Sequence, residues 1–306
     1  MLKVRFMNFW PGFNAEESLF YACLNRIVKT RLILVRDFEE KVDIEIESVF
    51  PVISNLRRFT DRLKLSKNVI SQQEYDERYH LKFNRSPKTQ AVKRIWFSGE
   101  NLRAPYDIYD LTISFDPTDT HFKNLYFPYW KYRLDWGFGN ALSEISPKPD
   151  QLIRSRLVSK RNYNACIFSS TREIGRSKLL QTVGQIVPID LYGAGFGNPV
   201  SSKLKISQDY LFQVCPENSL TPGYITEKLQ EAWFAGNLPI WHGSFMGGDE
   251  IFNRDAFIDC SGLNSLEIHE YLINLSQDKI KWMREQPLLL AEPTIDDLLL
   301  KLSNLI

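Results

Sequence analysis

Strand-like and helix-like runs alternate through most of this 306-residue chain, and that alternation constrains its fold more than any other feature. "KVRFMNFW" reads as a strand, "AEESLFYACLNRI" as a helix and "RLILV" as a strand again. "VDIEIESVF" alternates with period two, "AVKRIWFSGEN" ends a strand in a turn, and "DLTISFDP" is a further strand. The pattern resumes with strand "ACIFS" and the helix "RSKLLQTVGQIV", which sets Leu179, Leu180, Val183, Ile186 and Val187 on one face. "PIDLYG", "YLFQV", "NLPIW" and "AFIDC" are then strands, with helices before "NLPIW" and in "SLEIHEYLINL". Interleaving of this kind predicts the α/β class with mostly parallel sheets, here in two tandem domains. The proline-bearing "EISPKPDQLI" reads as the linker, giving domains 1–150 and 151–306, the second closing in an amphipathic helix within "EPTIDDLLLKLSNLI". Ligands of such folds bind beyond the carboxyl ends of the strands, so a cleft between the domains is expected. Residues 56–90 are polar and weakly periodic, and read as an insertion of helix and loop.

Composition narrows the partners. The chain has 38 basic and 37 acidic residues and a net charge of +1, so no global field favours nucleic acid. The run "SNLRRFTDRLKLSKN" reads as a solvated helix face, or as a surface for anionic lipid headgroups. Cys23, Cys166, Cys215 and Cys260 are far apart, without zinc-ligand spacing. That pattern fits a reducing compartment. "MLKVRFMNFWPGF" lacks the organisation of a signal peptide, and no run approaches 18 apolar residues. The expectation is a cytoplasmic protein, with peripheral contact at the inner face of the membrane left open.

Chemistry concentrates in "PENSLTPGYITEKLQEAWFAGNLPIWHG". Ile225, Leu229, Ala232, Trp233 and Gly236 have the spacing of one buried helix face, with Glu227 and Lys228 just inside its start. A helix start carries partial positive charge, so a carboxylate is expected there and a lysine is not. Arg176 has the same kind of address, after "ACIFS" and its loop. Two cations at helix starts suit a bound anion such as a diphosphate, although both side chains could equally extend into water. Glu227 could stabilise the helix start or accept hydrogen bonds from ribose hydroxyls. Asn218 and Tyr224 add neutral hydrogen-bonding groups, and Asn218 could equally form a turn. "GAGFGNP" precedes no helical pattern and reads as a mobile loop, not as a dinucleotide fingerprint. "DPTD", residues 116–119, reads as a turn with capping aspartates in preference to a metal site.

These residues together resemble the signature of the α1,3/α1,4-fucosyltransferases. Glu217-Asn218-Ser219, then Tyr224-Ile225-Thr226-Glu227-Lys228, then Gly236-Asn237-Leu238-Pro239-Ile240 follow the family's order. "RIWFSGEN", "SSTREIGRSKLLQTV" with "IDLYG", and "LYFPYW" are similar to three further family stretches, so the match spans roughly residues 93 to 245. The resemblance implies two Rossmann-like domains of the GT-B type and inverting transfer of L-fucose from GDP-fucose to an oligosaccharide acceptor. It implies that Arg176 and Lys228 hold the diphosphate, that Asn218 and Tyr224 add hydrogen bonds, that Glu227 binds the ribose, and that Glu100 is the general base. Should Glu100 only shape its turn, Glu217 and Asp107 are the next candidates. No metal or other cofactor is required on this reading, and stimulation by a divalent cation stays open. Pro216 replaces the family's usual aromatic residue, and residues 1–90, where acceptor specificity would lie, match poorly. Overall the resemblance is to the bacterial enzymes that decorate surface glycans. Two other readings use the same residues: a transferase of another nucleotide sugar, and a non-catalytic glycan- or nucleotide-binding protein.

Overall fold

The computed structural model describes residues 1–10, 12–37, 40–50, 91–139, 143–170, 175–246 and 250–306, and for 175–177 the backbone alone. The expected insertion at 56–90 and the basic run at 54–68 lie outside the described residues. Every ladder between the described strands is parallel, as interleaved strands and helices require. The chain divides into two compact units, residues 1–127 with 296–306, and residues 128–295.

The first unit holds β1 (Leu2–Met7), β2 (Leu32–Leu34), β3 (Val42–Glu47), β4 (Ala91–Phe97), β5 (Leu111–Ser114) and β6 (Asn124–Tyr126). Their order across the sheet is β2-β1-β3-β4-β5-β6. Strand β1 stops where Asn8 takes a left-handed backbone, φ +54°. Helices α1 (Leu19–Ile27) and α9 (Asp296–Ser303) pack against each other in this unit. Strand β3 departs from its sequence pattern. Period-two alternation would send its glutamates to water, yet Glu45 and Glu47 are fully buried. A central parallel strand is covered on both faces, and these carboxylates are matched there by cations. Arg94 lies 3.3 Å from Glu45 and 2.9 Å from Glu47, and the Tyr109 hydroxyl donates to Glu47 at 2.5 Å.

The second unit holds β7 (Asn162–Phe168), β8 (Ile189–Tyr192), β9 (Tyr210–Pro216), β10 (Leu238–His242) and β11 (Ile258–Asp259), ordered β11-β10-β9-β7-β8. Its helices are α2 (Tyr129–Tyr132), α3 (Pro149–Leu152), α4 (Gly175–Gly184), α5 (Lys203–Ser207), α6 (Lys228–Phe234), α7 (Ser265–Ile273) and α8 (Gln277–Glu285). The chain leaves β7 towards β8 on one side and returns to β9 on the other. The order therefore reverses between β7 and β9, the place where open parallel sheets bind ligands. Leu179, Val183 and Val187 join the core on one side of this sheet, with Leu180 and Ile186 packed against it, as their spacing implied.

Two boundaries and one loop differ from expectation. The units divide after residue 127, not at 150, because Trp130, Leu134 and Leu152 join the core formed by Cys215, Ile225, Leu229 and Trp241. The supposed linker is thus part of the second unit, and Ile145 within it is buried. The closing helix α9, assigned from the sequence to the second domain, belongs to the first unit. "GAGFGNP" folds into a single 3-10 turn, Ala194–Phe196, after Gly193 at φ +104°. A Cβ at Gly193 would meet the Ser169 carbonyl oxygen at 2.2 Å, so only glycine fits.

Helix α6 ends just before Gly236, whose φ is +90°. Three guanidiniums close that end. Arg161 donates to Ala235 O at 2.7 Å, Arg284 twice to Gly236 O at 3.0 and 2.8 Å, and Arg156 to Asn237 O at 2.8 Å. Cations suit the partial negative charge of a helix C-terminus. A Cβ at Gly236 would lie 2.5 Å from an Arg161 nitrogen. Gly236→Ala is therefore expected to lower stability by about 1–2 kcal/mol, the left-handed backbone cost, read as a shift of the urea midpoint. A neutral substitution would show that this clamp is not under steric constraint.

Candidate active site

Strand β9 delivers the chain to Glu217, whose N–H donates to the His242 carbonyl at 2.8 Å and prolongs the β9–β10 ladder. A carboxylate with no exposed side-chain surface thus sits at a strand's carboxyl end, beside the switch point. It is tolerated because four donors surround it. Thr226 N–H lies at 2.9 Å, the Thr226 hydroxyl at 2.7 Å, the Lys228 ammonium at 3.0 Å and the Trp241 indole N–H at 3.4 Å. An unpaired buried charge would be strongly destabilising.

Lys228 therefore has a local counter-ion, which spacing alone did not reveal. Its ammonium also lies 3.1 Å from Thr226 Oγ1 and 3.3 Å from Asn218 Oδ1, and 18% of its side chain remains exposed. Asn218 is exposed, whereas Tyr224 is buried in a turn whose Gly223 has φ +81°. The helix itself begins at Lys228, later than the apolar spacing suggested, with Glu227 as its cap residue. Ile225 remains buried although it precedes the helix. Glu227 is half-buried, and its carboxylate has no side-chain hydrogen-bond partner among the described residues. Burial by itself would raise its pKa, but the charges of Lys228, Lys203 and Arg133 outweigh that and hold it below the ordinary value.

The structure thus brings together Glu217, Asn218, Thr226 and Lys228, with Glu227 adjoining. Arg176 lies in the first turn of α4, on the connection that leaves β7 at the switch point. Glu100 belongs to the first unit, in the turn after the central strand β4. That turn is fixed by Ser98, whose hydroxyl donates to Glu100 O at 2.5 Å and Leu102 O at 3.1 Å. The other carboxylates considered for the base differ from it. Glu217 is enclosed by donors, and Asp107 lies exposed in a 3-10 turn. Asp116 of "DPTD" is buried, accepts a hydrogen bond from the Tyr106 hydroxyl at 2.7 Å and pairs with Arg103.

One cluster escaped the sequence reading. Glu231, one turn beyond Glu227, lies 3.2 Å from Lys203 and 3.8 Å from Arg133. Burial and the neighbouring Glu227 raise its pKa, while Lys203 and Arg133 oppose that rise. Like charges at i and i+4 repel on a helix. Two glutamates so spaced on a partly buried face were the available signal that cations pack opposite.

Comparison with known proteins bears out the resemblance drawn from the signature residues. Residues 157–285 match Glycosyltransferase family 10 (fucosyltransferase) C-term. The chain is 24% identical over 197 residues to the Helicobacter pylori alpha-(1,3)-fucosyltransferase FucT, covering 56% of this chain and 41% of that protein. A human 4-galactosyl-N-acetylglucosaminide 3-alpha-L-fucosyltransferase is 26% identical over 209 residues, 65% of this chain and 54% of the relative. The chain thus spans about half the length of the curated relatives it matches. A crystal structure of an alpha1,3-fucosyltransferase with GDP-fucose superposes with a TM-score of 0.66 at 18% identity, over 99% of this chain and 90% of that one. That likeness shows the fold, two α/β units with parallel sheets of the GT-B type.

Glu217→Gln, which keeps the shape but removes the charge facing Lys228 and Thr226, is expected to cost about 2–4 kcal/mol of stability. Urea unfolding measures it. A loss below about 0.5 kcal/mol would mean that the donors around Glu217 are satisfied without its charge.

Proposed function

We propose that this chain transfers L-fucose from GDP-fucose to a hydroxyl of a glycan acceptor, with inversion and with an α1,3 or α1,4 linkage. The observation that carries the reading is a coincidence of place. The segment matching the fucosyltransferase family, residues 157–285, contains the switch point and the Glu217–Lys228 pair beside it. Lys228 and Arg176 neutralise the donor diphosphate, Asn218 and Tyr224 hydrogen-bond to it, and Glu227 accepts the ribose hydroxyls. A carboxylate held below its ordinary pKa by neighbouring cations, with no side-chain hydrogen-bond partner among the described residues, suits that last task.

The chemistry assigns the remaining role. An acceptor hydroxyl becomes an adequate nucleophile when a carboxylate takes its proton as the new bond forms. Glu100, on a turn locked by Ser98, is that base. As the bond to the anomeric carbon breaks, negative charge builds on the departing GDP, and preplaced cations stabilise it. Transfer on this account needs no metal, and a divalent cation would act on product release. Four free, buried cysteines support a reducing compartment, and the proposal places the enzyme in the cytoplasm.

The test is GDP release from GDP-fucose with glycan acceptors, in EDTA, for the wild type and Glu100→Gln. Wild-type turnover should persist in EDTA. The substitution should lower turnover about 10²- to 10⁴-fold while GDP affinity stays within about twofold, because only the base is lost. Turnover within about threefold of wild type in a folded Glu100→Gln protein would remove Glu100 from the mechanism. Release from other nucleotide sugars but not from GDP-fucose would overturn the donor assignment.

A further inference from the structure

The turn that carries Glu100 belongs to the loop between β4 and β5, and the far side of that loop is tied to a carboxylate. Asp116, from the "DPTD" stretch, lies just beyond the carboxyl end of β5 and is 2% exposed. Its oxygens are divided between two residues of the loop. One pairs with the Arg103 guanidinium, and the other accepts from the Tyr106 hydroxyl at 2.7 Å. Asp116 is itself fixed by the sheet. Its N–H donates to the Ser114 hydroxyl at 3.0 Å, and its carbonyl accepts at 2.8 Å from the side-chain amide of Asn124, a fully buried residue of β6. Tyr106 is held a second time, because its ring stacks on His121 at 5.0 Å and its carbonyl accepts from Lys123 at 3.4 Å. The Arg103 guanidinium lies over the Phe115 ring at 5.2 Å.

These contacts bracket Glu100. Ser98 holds the near side of the turn through Glu100 O and Leu102 O, and Asp116 holds the far side through Arg103 and Tyr106. A general base must come within about 2.6–3.2 Å of the group whose proton it takes, and a misplacement of about 1 Å can cost about a hundredfold in rate. Side chains on loops meet that tolerance less readily than those on strands. Resting on the assignment of Glu100 as the base, we infer that Asp116 is its positioning residue, a buried carboxylate that touches no substrate and fixes the Glu100 turn against the end of β5 through Arg103 and Tyr106. Burial gives the tether its strength. A buried carboxylate without its cation is strongly destabilised, so Arg103 and Tyr106 are drawn to one place and the loop between them and Ser98 loses its freedom. An aspartate that only capped its own turn would need neither partner.

Asp116→Asn, Tyr106→Phe and Glu100→Gln test this singly, together with the Asp116→Asn, Glu100→Gln double variant. Hydrogen exchange across residues 98–106 reads the tether without any substrate. GDP release from GDP-fucose with a 4-galactosyl-N-acetylglucosaminide acceptor reads its effect on turnover. In Asp116→Asn, exchange should rise across that segment and turnover should fall about ten- to a hundredfold. GDP affinity should stay within about twofold, since the donor residues belong to the second unit. Tyr106→Phe keeps the Arg103 pair and should act more weakly, lowering turnover about three- to tenfold, the worth of one hydrogen bond. In the Glu100→Gln background, Asp116→Asn should lower turnover by less than about twofold further, because it acts only through Glu100. A purely structural Asp116 would lower turnover by the same factor in both backgrounds, and that result overturns the inference. Unchanged exchange or unchanged turnover in folded Tyr106→Phe also overturns it, whether or not Asp116→Asn folds. If Glu100→Gln lowers turnover and Asp116→Asn does not, this inference alone falls. If Glu100→Gln leaves turnover unchanged, the base assignment falls and takes this inference with it.

Discussion

One buried carboxylate organises the second unit of this chain. Glu217 ties together four pieces of structure: the end of β9, the Thr226 turn, the first residue of α6 and the β10 tryptophan. None of these is near another in sequence except Thr226 and Lys228. The carboxylate could not be buried without those donors, and Lys228 could not be kept half-covered at a helix start without that anion. The pair thus positions a cation where a diphosphate would need one, at the carboxyl ends of parallel strands.

Helix α6 acts as a fixed bar between two charged anchors. Its start is held through Lys228 and Glu217, and the carbonyls at its other end are held by Arg156, Arg161 and Arg284. Arg284 is nearly fully buried and spends its donors on backbone carbonyls, not on a carboxylate. Between the anchors, Leu229, Ala232 and Trp233 pack into the core, while Glu227 and Glu231 project towards Arg133 and Lys203. The helix has only seven residues, so intrinsic helix stability is a minor term and the anchors and packing decide its position.

Much of this was readable from local pattern. Strand and helix alternation identified two parallel α/β units, and the spacing of Leu179 and Val183 named the core face of α4 correctly, with Val187 buried just beyond its end. The signature residues led to the site. What escaped was long-range. Prolines in "EISPKPDQLI" resemble a linker locally, but Leu152 is buried in a core that also draws on Cys215, Ile225, Trp241 and Leu289, far along the chain. Glu45 and Glu47 look solvent-facing by alternation and are buried because Arg94 arrives from β4. The sequence offers Glu217 as a signature residue and an alternative base, and nothing in its neighbourhood shows that Lys228 folds back to it. Propensity and periodicity report on neighbours in the chain, whereas charge pairing in a core is settled by which strands lie side by side.

The central claim is that Lys228, held by Glu217, is the group through which this site meets an anionic ligand. A double-substitution cycle in GDP affinity tests it most directly, using Glu217→Gln and Lys228→Ala singly and together in calorimetric titration. Coupled partners deviate from additivity by about 0.5–3 kcal/mol. The account predicts that Glu217→Gln changes GDP affinity when Lys228 is present and has almost no further effect once Lys228 is alanine. Strictly additive effects, with Lys228→Ala leaving GDP affinity unchanged, would contradict it.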